Sequence, residues 1–145
     1  MTDSPARATI WHNPDCGTSR NVLAILTAAG AEPLVIDYQQ AGWTAALLQD
    51  LFATAGVTPR EALRLSRSPA EELGLTDPAV NDAALIAAML EHPVLVNRPF
   101  VRTAKGTALC RPSERVLDLL DRLPPGPLYK EDGSLILDAE GRRVG

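Results

Sequence analysis

The chain has 145 residues, 46% of them apolar, which is enough for one hydrophobic core and short for two independent domains. Its 18 acidic and 14 basic side chains leave a formal charge of −4 spread along the length, so no broad basic surface advertises nucleic acid. No apolar run approaches the roughly 18–20 residues that span a bilayer, and MTDSPARATIWHNP lacks the apolar centre of a secretory signal, so a single cytoplasmic domain is expected.

Ala8-Thr9-Ile10-Trp11-His12 reads as a short strand, closed by Asn13-Pro14 because proline cannot donate to a ladder. A helix follows. Its apolar positions Val22, Leu23, Ile25 and Leu26 keep helical spacing, and Gly30 stands where a C-terminal cap would. Pro33 to Tyr38 is a second strand, which completes a strand–helix–strand unit.

The middle, from Trp43 to about Leu90, reads as three or four helices. One ends at Gly56, one starts with Pro59 in TPREALRL, and one closes before Pro93. Val94–Arg102 and Thr107–Cys110 are strand pieces joined by a turn at Lys105-Gly106, the pattern of a hairpin. Pro112-Ser113-Glu114 opens a helix over Arg115–Leu123, which Pro124-Pro125-Gly126-Pro127 breaks. From about residue 124 the tail is expected to pack loosely. This element order is that of an α/β domain of thioredoxin-like type, with a mixed sheet and an enlarged helical insertion in the middle.

The two cysteines, Cys16 and Cys110, are far apart in the chain and show no paired-ligand spacing, so neither a metal nor a disulfide framework is expected. Cys16 stands at the expected start of the first helix. There its sulfur faces the open N–H groups of Gly17, Thr18 and Ser19 and the positive end of the helix dipole. Such surroundings bring a cysteine from roughly 8.5 to between about 3.5 and 7.5 and favour the nucleophilic thiolate. Asp15 pulls the other way.

In Cys16-Gly17-Thr18-Ser19 a serine takes the place that a resolving thiol holds in C-x-x-C, so a disulfide formed at Cys16 must be resolved from outside. The Ser19 hydroxyl can donate to the thiolate or to a bound oxyanion, and His12 can tune the local charge. On those four residues alone, a small buried hydrophobe is the stronger reading of Cys16. A phosphatase-type loop is rejected because Cys16 to Arg20 is C-x3-R where C-x5-R is required.

Three further stretches shift the balance: Arg60-Glu61-Ala62-Leu63-Arg64, HPVLVNRPFV over His92–Val101, and GTALCRPSE over Gly106–Glu114. Together with HNPDCGTSRN, in this order, they resemble the glutaredoxin-coupled arsenate reductase family. The resemblance implies a thioredoxin-like fold in which Cys16 attacks arsenate while Arg64, Arg98 and Arg111 hold the oxyanion. It implies glutathione as cosubstrate with no tightly bound cofactor, glutaredoxin as partner, and a cis bond at Arg98-Pro99. Guanidinium forks match the oxygens of a tetrahedral anion with paired, charge-assisted hydrogen bonds.

Locally, Arg64 shares an expected helical face with Arg60, and those residues by themselves do not choose between the two. Arg111, at a strand-to-helix junction, is best supported on local physics. Arg20 and Arg67 read as solvated or supporting, Arg102 as an exposed strand residue, and Cys110 as core packing. Nothing demands more than a monomer. Two other functions compete: a non-enzymatic redox regulator that binds the transcription machinery, and a general glutathione-dependent thiol-disulfide reductase. The missing second thiol counts against the first.

Overall fold

The computed structural model describes residues 8–144. Contacts divide the chain into two units, one running to Ile36 and resuming at Arg98, the other Asp37–Asn97.

In the first unit, β1 (Thr9–His12) leads into α1 (Gly17–Ala28) and then β2 (Leu34–Asp37). Gly30, with φ +74, supplies the left-handed residue after the helix, while the Ala31 N–H closes onto the Leu26 carbonyl at 3.0 Å. β3 (Phe100–Thr103) and β4 (Gly106–Leu109) form the expected hairpin. The four strands lie in the order β2-β1-β3-β4, with β3 antiparallel to both β1 and β4. β1 and β2 are neighbours joined through a helix, the connection that parallel strands need.

Register places Ile10 opposite Val101 and Val101 opposite Ala108. All three are buried on the core side with Val22, Ile25 and Leu26 of α1. On the other face the Arg102 guanidinium lies 5.9 Å from the centre of the Trp11 ring and donates to Thr107 Oγ1 at 2.9 Å, so Arg102 is half-buried where an exposed position was expected.

The segment after Pro112 forms a 3₁₀ helix over Ser113–Leu119, shorter than the helix expected to Leu123. The hairpin explains the early stop. Thr103 Oγ1 donates to the Leu119 carbonyl at 2.7 Å and Lys105 Nζ to the Leu120 carbonyl at 3.2 Å, so side chains satisfy the terminal acceptors.

The tail does not pack loosely. β5 (Leu128–Tyr129) and β6 (Leu135–Leu137) pair antiparallel, and Ile136 and Leu137 join the core of this unit. A Cβ on Gly126 would collide with the Asp138 carbonyl and stand 2.8 Å from the Gly141 nitrogen, so the two arms of the tail are in close contact. Apolar residues spaced by polar turns look loose in sequence and become core once the hairpin closes.

The second unit holds α2 (Tyr38–Ala41), α3 (Ala45–Ala55) and α4 (Asp82–Glu91). Thr44 and Asn81 cap the longer two by accepting from the Leu47 and Ala84 N–H groups at 3.1 and 2.9 Å. The helix expected in TPREALRL begins and stops after one turn. Thr58 and Glu61 form a reciprocal capping box at 2.9 and 3.1 Å. The chain then turns away because Leu63 pairs antiparallel with Val96, the Arg64 N–H bonds the Leu95 carbonyl and the Asn97 N–H bonds the Ala62 carbonyl, both at 2.7 Å. The same pairing holds Pro93–Leu95 as a 3₁₀ turn, so the expected strand begins only at Phe100. Among the described residues no helix is long and apolar enough to cross a membrane.

Candidate active site

The loop HNPDCGTSRN is built by its own backbone. The Asn13 side chain accepts the Asp15 N–H at 2.9 Å and its carbonyl accepts the Cys16 N–H at 3.0 Å, a turn that delivers Cys16 in an extended conformation at the N-cap of α1. Cys16 is the N-cap residue of α1, where the first-turn N–H groups have no helical carbonyl to bond. Asp15 is exposed, so water screens the carboxylate whose placement beside the sulfur looked unfavourable.

Two arginines of the same unit reach the sulfur. Arg111 Nη1 lies 3.7 Å from Cys16 Sγ and donates to the Arg98 carbonyl at 3.0 Å. The Arg98 side chain, 6% exposed, also acts to lower the Cys16 thiol. Both arginines precede a proline through a cis bond, and the Cys110 N–H ties the approach of Arg111 to the Pro99 carbonyl at 2.9 Å. The cis bond at Arg98-Pro99 is as the resemblance implied; those at Arg111-Pro112 and Gly126-Pro127 carry no signal in the sequence.

Burial by itself pushes the Cys16 thiol up. The Ser19 backbone N–H and the Arg98 and Arg111 guanidinium groups outweigh it and hold the thiol below the ordinary cysteine value. At Cys110 burial prevails: fully enclosed, with its sulfur 3.8 Å from the Ala108 carbonyl, the thiol is pushed up to about 12, the Arg115 charge countering only part of the effect. It packs in the core, as its sequence position suggests.

Ser19 does a different job from the one expected. Its hydroxyl stands 2.6 Å from His12 Nδ1 and accepts the Asn13 N–H at 3.1 Å, while its backbone N–H serves the thiolate. The fully buried Ser19 and the buried His12 therefore lock the loop to α1 from beneath. Gly17 and Thr18, half-buried, form the rest of the first turn.

Arg64 belongs to the second unit. Its Nε donates to the Ser66 carbonyl at 2.9 Å and its Nη1 to Asn97 Oδ1 at 3.4 Å, Asn97 being the residue before Arg98 in the chain. Arg60, its rival in the sequence, is committed to three backbone carbonyls, those of Leu75, Asp77 and Val80, at 3.2, 3.1 and 2.7 Å. The two do not share a helical face, because there is no helix to share.

Arg20, expected to be solvated or supporting, is exposed and pairs through two hydrogen bonds with Glu131 at 2.8 and 3.0 Å while donating to the Pro14 carbonyl at 2.8 Å. No local signal links residues 111 positions apart. A cavity of about 410 Å³ opens at the far end of α1, lined in part by Gly30, Lys105 and Arg122, and includes none of these residues. Among the described residues no group of three His, Cys, Asp or Glu side chains is placed to hold a metal.

The ArsC family matches over residues 11–119, from the end of β1 through the 3₁₀ helix. The chain belongs to the ArsC family. This ArsC-family chain is 60% identical to arsenate reductase ArsI2 of Synechocystis over 135 residues, 93% of this chain and 96% of that protein. It is 46% identical to an arsenate reductase of Escherichia coli K12 over 136 residues, 94% of this chain and 96% of the other. Among solved structures, an arsenate reductase from Vibrio cholerae matches with a TM-score of 0.76 at 36% identity, covering 81% of this chain and all of that one. The four-stranded sheet with helices inserted between β2 and β3 is thus the thioredoxin-like α/β arrangement expected from element order.

Proposed function

We propose that this chain reduces arsenate to arsenite, with Cys16 as nucleophile and glutathione and glutaredoxin as reductants. The observation that carries the reading is the Arg111 guanidinium 3.7 Å from a thiol held below its ordinary value in a C-x-x-S site. Relatives named arsenate reductases, 46% and 60% identical over nearly the whole chain, support it.

The Cys16 thiolate attacks arsenic(V), forming a sulfur–arsenic bond as one oxygen leaves as water. Arg98 and Arg111 hold the remaining oxygens and offset their charge, with Arg64 as the third fork that the family resemblance implies. A lysine would lack the paired donors. Glutathione then attacks the Cys16 sulfur. The sulfur–arsenic bond breaks, its electron pair stays on arsenic, a sulfur–sulfur bond forms, and the glutathione thiol proton passes to the departing arsenite. Each sulfur gives up one electron and arsenic gains two. The mixed disulfide cannot be resolved at Ser19, so glutaredoxin clears it.

His12, Ser19, Gly17 and Thr18 support the loop and first turn, and residues 1–145 act as one arsenate reductase domain, since the family match runs through both units. The reaction suits the cytoplasm, where glutathione keeps thiols reduced. Arsenate-dependent glutathione consumption with glutaredoxin present is the test. Cys16→Ser abolishes it, and a Cys16→Ser protein with full turnover would sink the assignment.

A further inference from the structure

Arg111 reaches the sulfur and Arg98 is buried, whereas Arg20, four residues after Cys16, has 44% of its side chain exposed. Its guanidinium is fixed at three points. The edge formed by Nε and Nη2 is clamped by the Glu131 carboxylate, and Nη1 donates to the Pro14 carbonyl. Glu131 is in turn anchored to α1, its N–H bonding Asn21 Oδ1 at 3.0 Å. A Cβ on Gly17 would stand 3.7 Å from Arg20 Nη2, so the guanidinium spans the segment from Pro14 to Gly17 that carries Cys16.

Arginine has five N–H donors and these contacts use three, which leaves two on a guanidinium whose Nη2 stands 3.7 Å from a Cβ placed on Gly17, the residue after Cys16. Arg20 attracts the Cys16 thiolate only weakly beside its pairing with Glu131, which already balances its charge. What remains is directional donation, suited to a carboxylate that arrives with the second reactant.

We infer that Arg20 docks the glycine carboxylate of glutathione as the glutathione thiol attacks the Cys16 sulfur. That carboxylate lies roughly 7 Å from the glutathione sulfur when the chain is extended, within the span of a guanidinium seated over the residues on either side of Cys16. Glu131 orients the fork, and Gly17 keeps the space beside it open. The inference rests on the proposed mixed-disulfide chemistry at Cys16 and adds no covalent step to it.

The full chain, given arsenate without glutaredoxin, is mixed with subsaturating glutathione or with its glycine ethyl ester, and formation of the Cys16–glutathione disulfide is followed by mass spectrometry. The unaltered protein reacts about fivefold faster with glutathione than with the ester, the size of one exposed charge-assisted contact. Arg20→Ala and Arg20→Lys react with both at the ester rate, since lysine restores charge but not the fork. Equal rates for the two thiols in the unaltered protein, or a preference that survives in Arg20→Ala, would overturn the inference. The ester comparison on the unaltered protein requires no variant to fold. If no Cys16–glutathione disulfide forms with either thiol, the proposed chemistry of Cys16 fails, and the docking role fails with it.

Discussion

Cys16, 8% exposed at the start of α1, and Cys110, fully buried just after β4, are both nearly closed to water, yet their surroundings drive the two thiols in opposite directions. Around Cys110 there is aliphatic core, the S–H donates to the Ala108 carbonyl, and the opposed charges of Arg115 and Asp118 leave burial dominant, so the neutral thiol is favoured. Around Cys16 a smaller loss of water is offset by a backbone N–H and two guanidinium groups. Burial therefore does not distinguish a structural cysteine from a reactive one. The donors aimed at the sulfur do.

The largest expected difference is in reactivity. At neutral pH, iodoacetamide labels Cys16 at least about 1,000-fold faster than Cys110, read by peptide mass spectrometry, because a thiol pushed up to about 12 is almost never ionised. Comparable labelling of the two cysteines in the folded protein would remove the contrast.

Next in size, Arg111→Ala and Arg98→Ala each raise the Cys16 pKa and slow its labelling at pH 7 by up to roughly tenfold, measured from the pH dependence of alkylation. An unchanged titration in both variants would mean that the arginines do not set the thiolate.

The contrast also predicts opposite slopes of stability with pH. Cys16 is held below its unfolded value, so the folded state has lost its proton while the unfolded state keeps it, and stability rises with pH from the folded value up to about 8.5. Its contribution is fully present above the unfolded value and is lost as pH falls through the folded one. Cys110 is held above its unfolded value, so between about 8.5 and about 12 only the unfolded chain ionises and stability falls with rising pH. Each slope is at most about 1.4 kcal/mol per pH unit. Denaturant titrations of Cys16→Ser and Cys110→Ala against the parent, across this range, isolate them.

The smallest expected effect belongs to Cys110→Ala, which loses one buried atom and costs about 1 kcal/mol of stability while arsenate turnover stays at the parent level. A collapse of turnover in a folded Cys110→Ala protein would give Cys110 a part in the chemistry.

Much of this contrast is written locally. The strand ending at Asn13-Pro14, the helical spacing after Cys16 and the proline after Arg111 are short-range patterns, and β1, α1, β2 and the β3–β4 hairpin appear where they indicate. Patterns failed where distant backbone competed. TPREALRL carries a working capping box and still makes only one helical turn, because Leu63 and Arg64 pair with Leu95–Asn97. The 3₁₀ helix after Pro112 ends early because Thr103 and Lys105 reach its carbonyls. The tail reads as loose in sequence because two buried aliphatic residues, Ile136 and Leu137, among many polar ones give no visible period.

By itself the sequence determined that one thiol stands at a helix start with no internal resolving partner, and that Arg98 and Arg111 belong to motifs of one family. Tertiary structure decided which donors reach that thiol: the Ser19 backbone rather than its hydroxyl, which is turned to His12, and the guanidinium of Arg111, two residues past β4, 3.7 Å from the sulfur. It also decided that Arg20 is clamped by a carboxylate 111 residues away. The reason is physical. A helix cap is a property of neighbouring residues, whereas the charge around a buried sulfur is the sum of groups that only the closed sheet and the folded tail bring together.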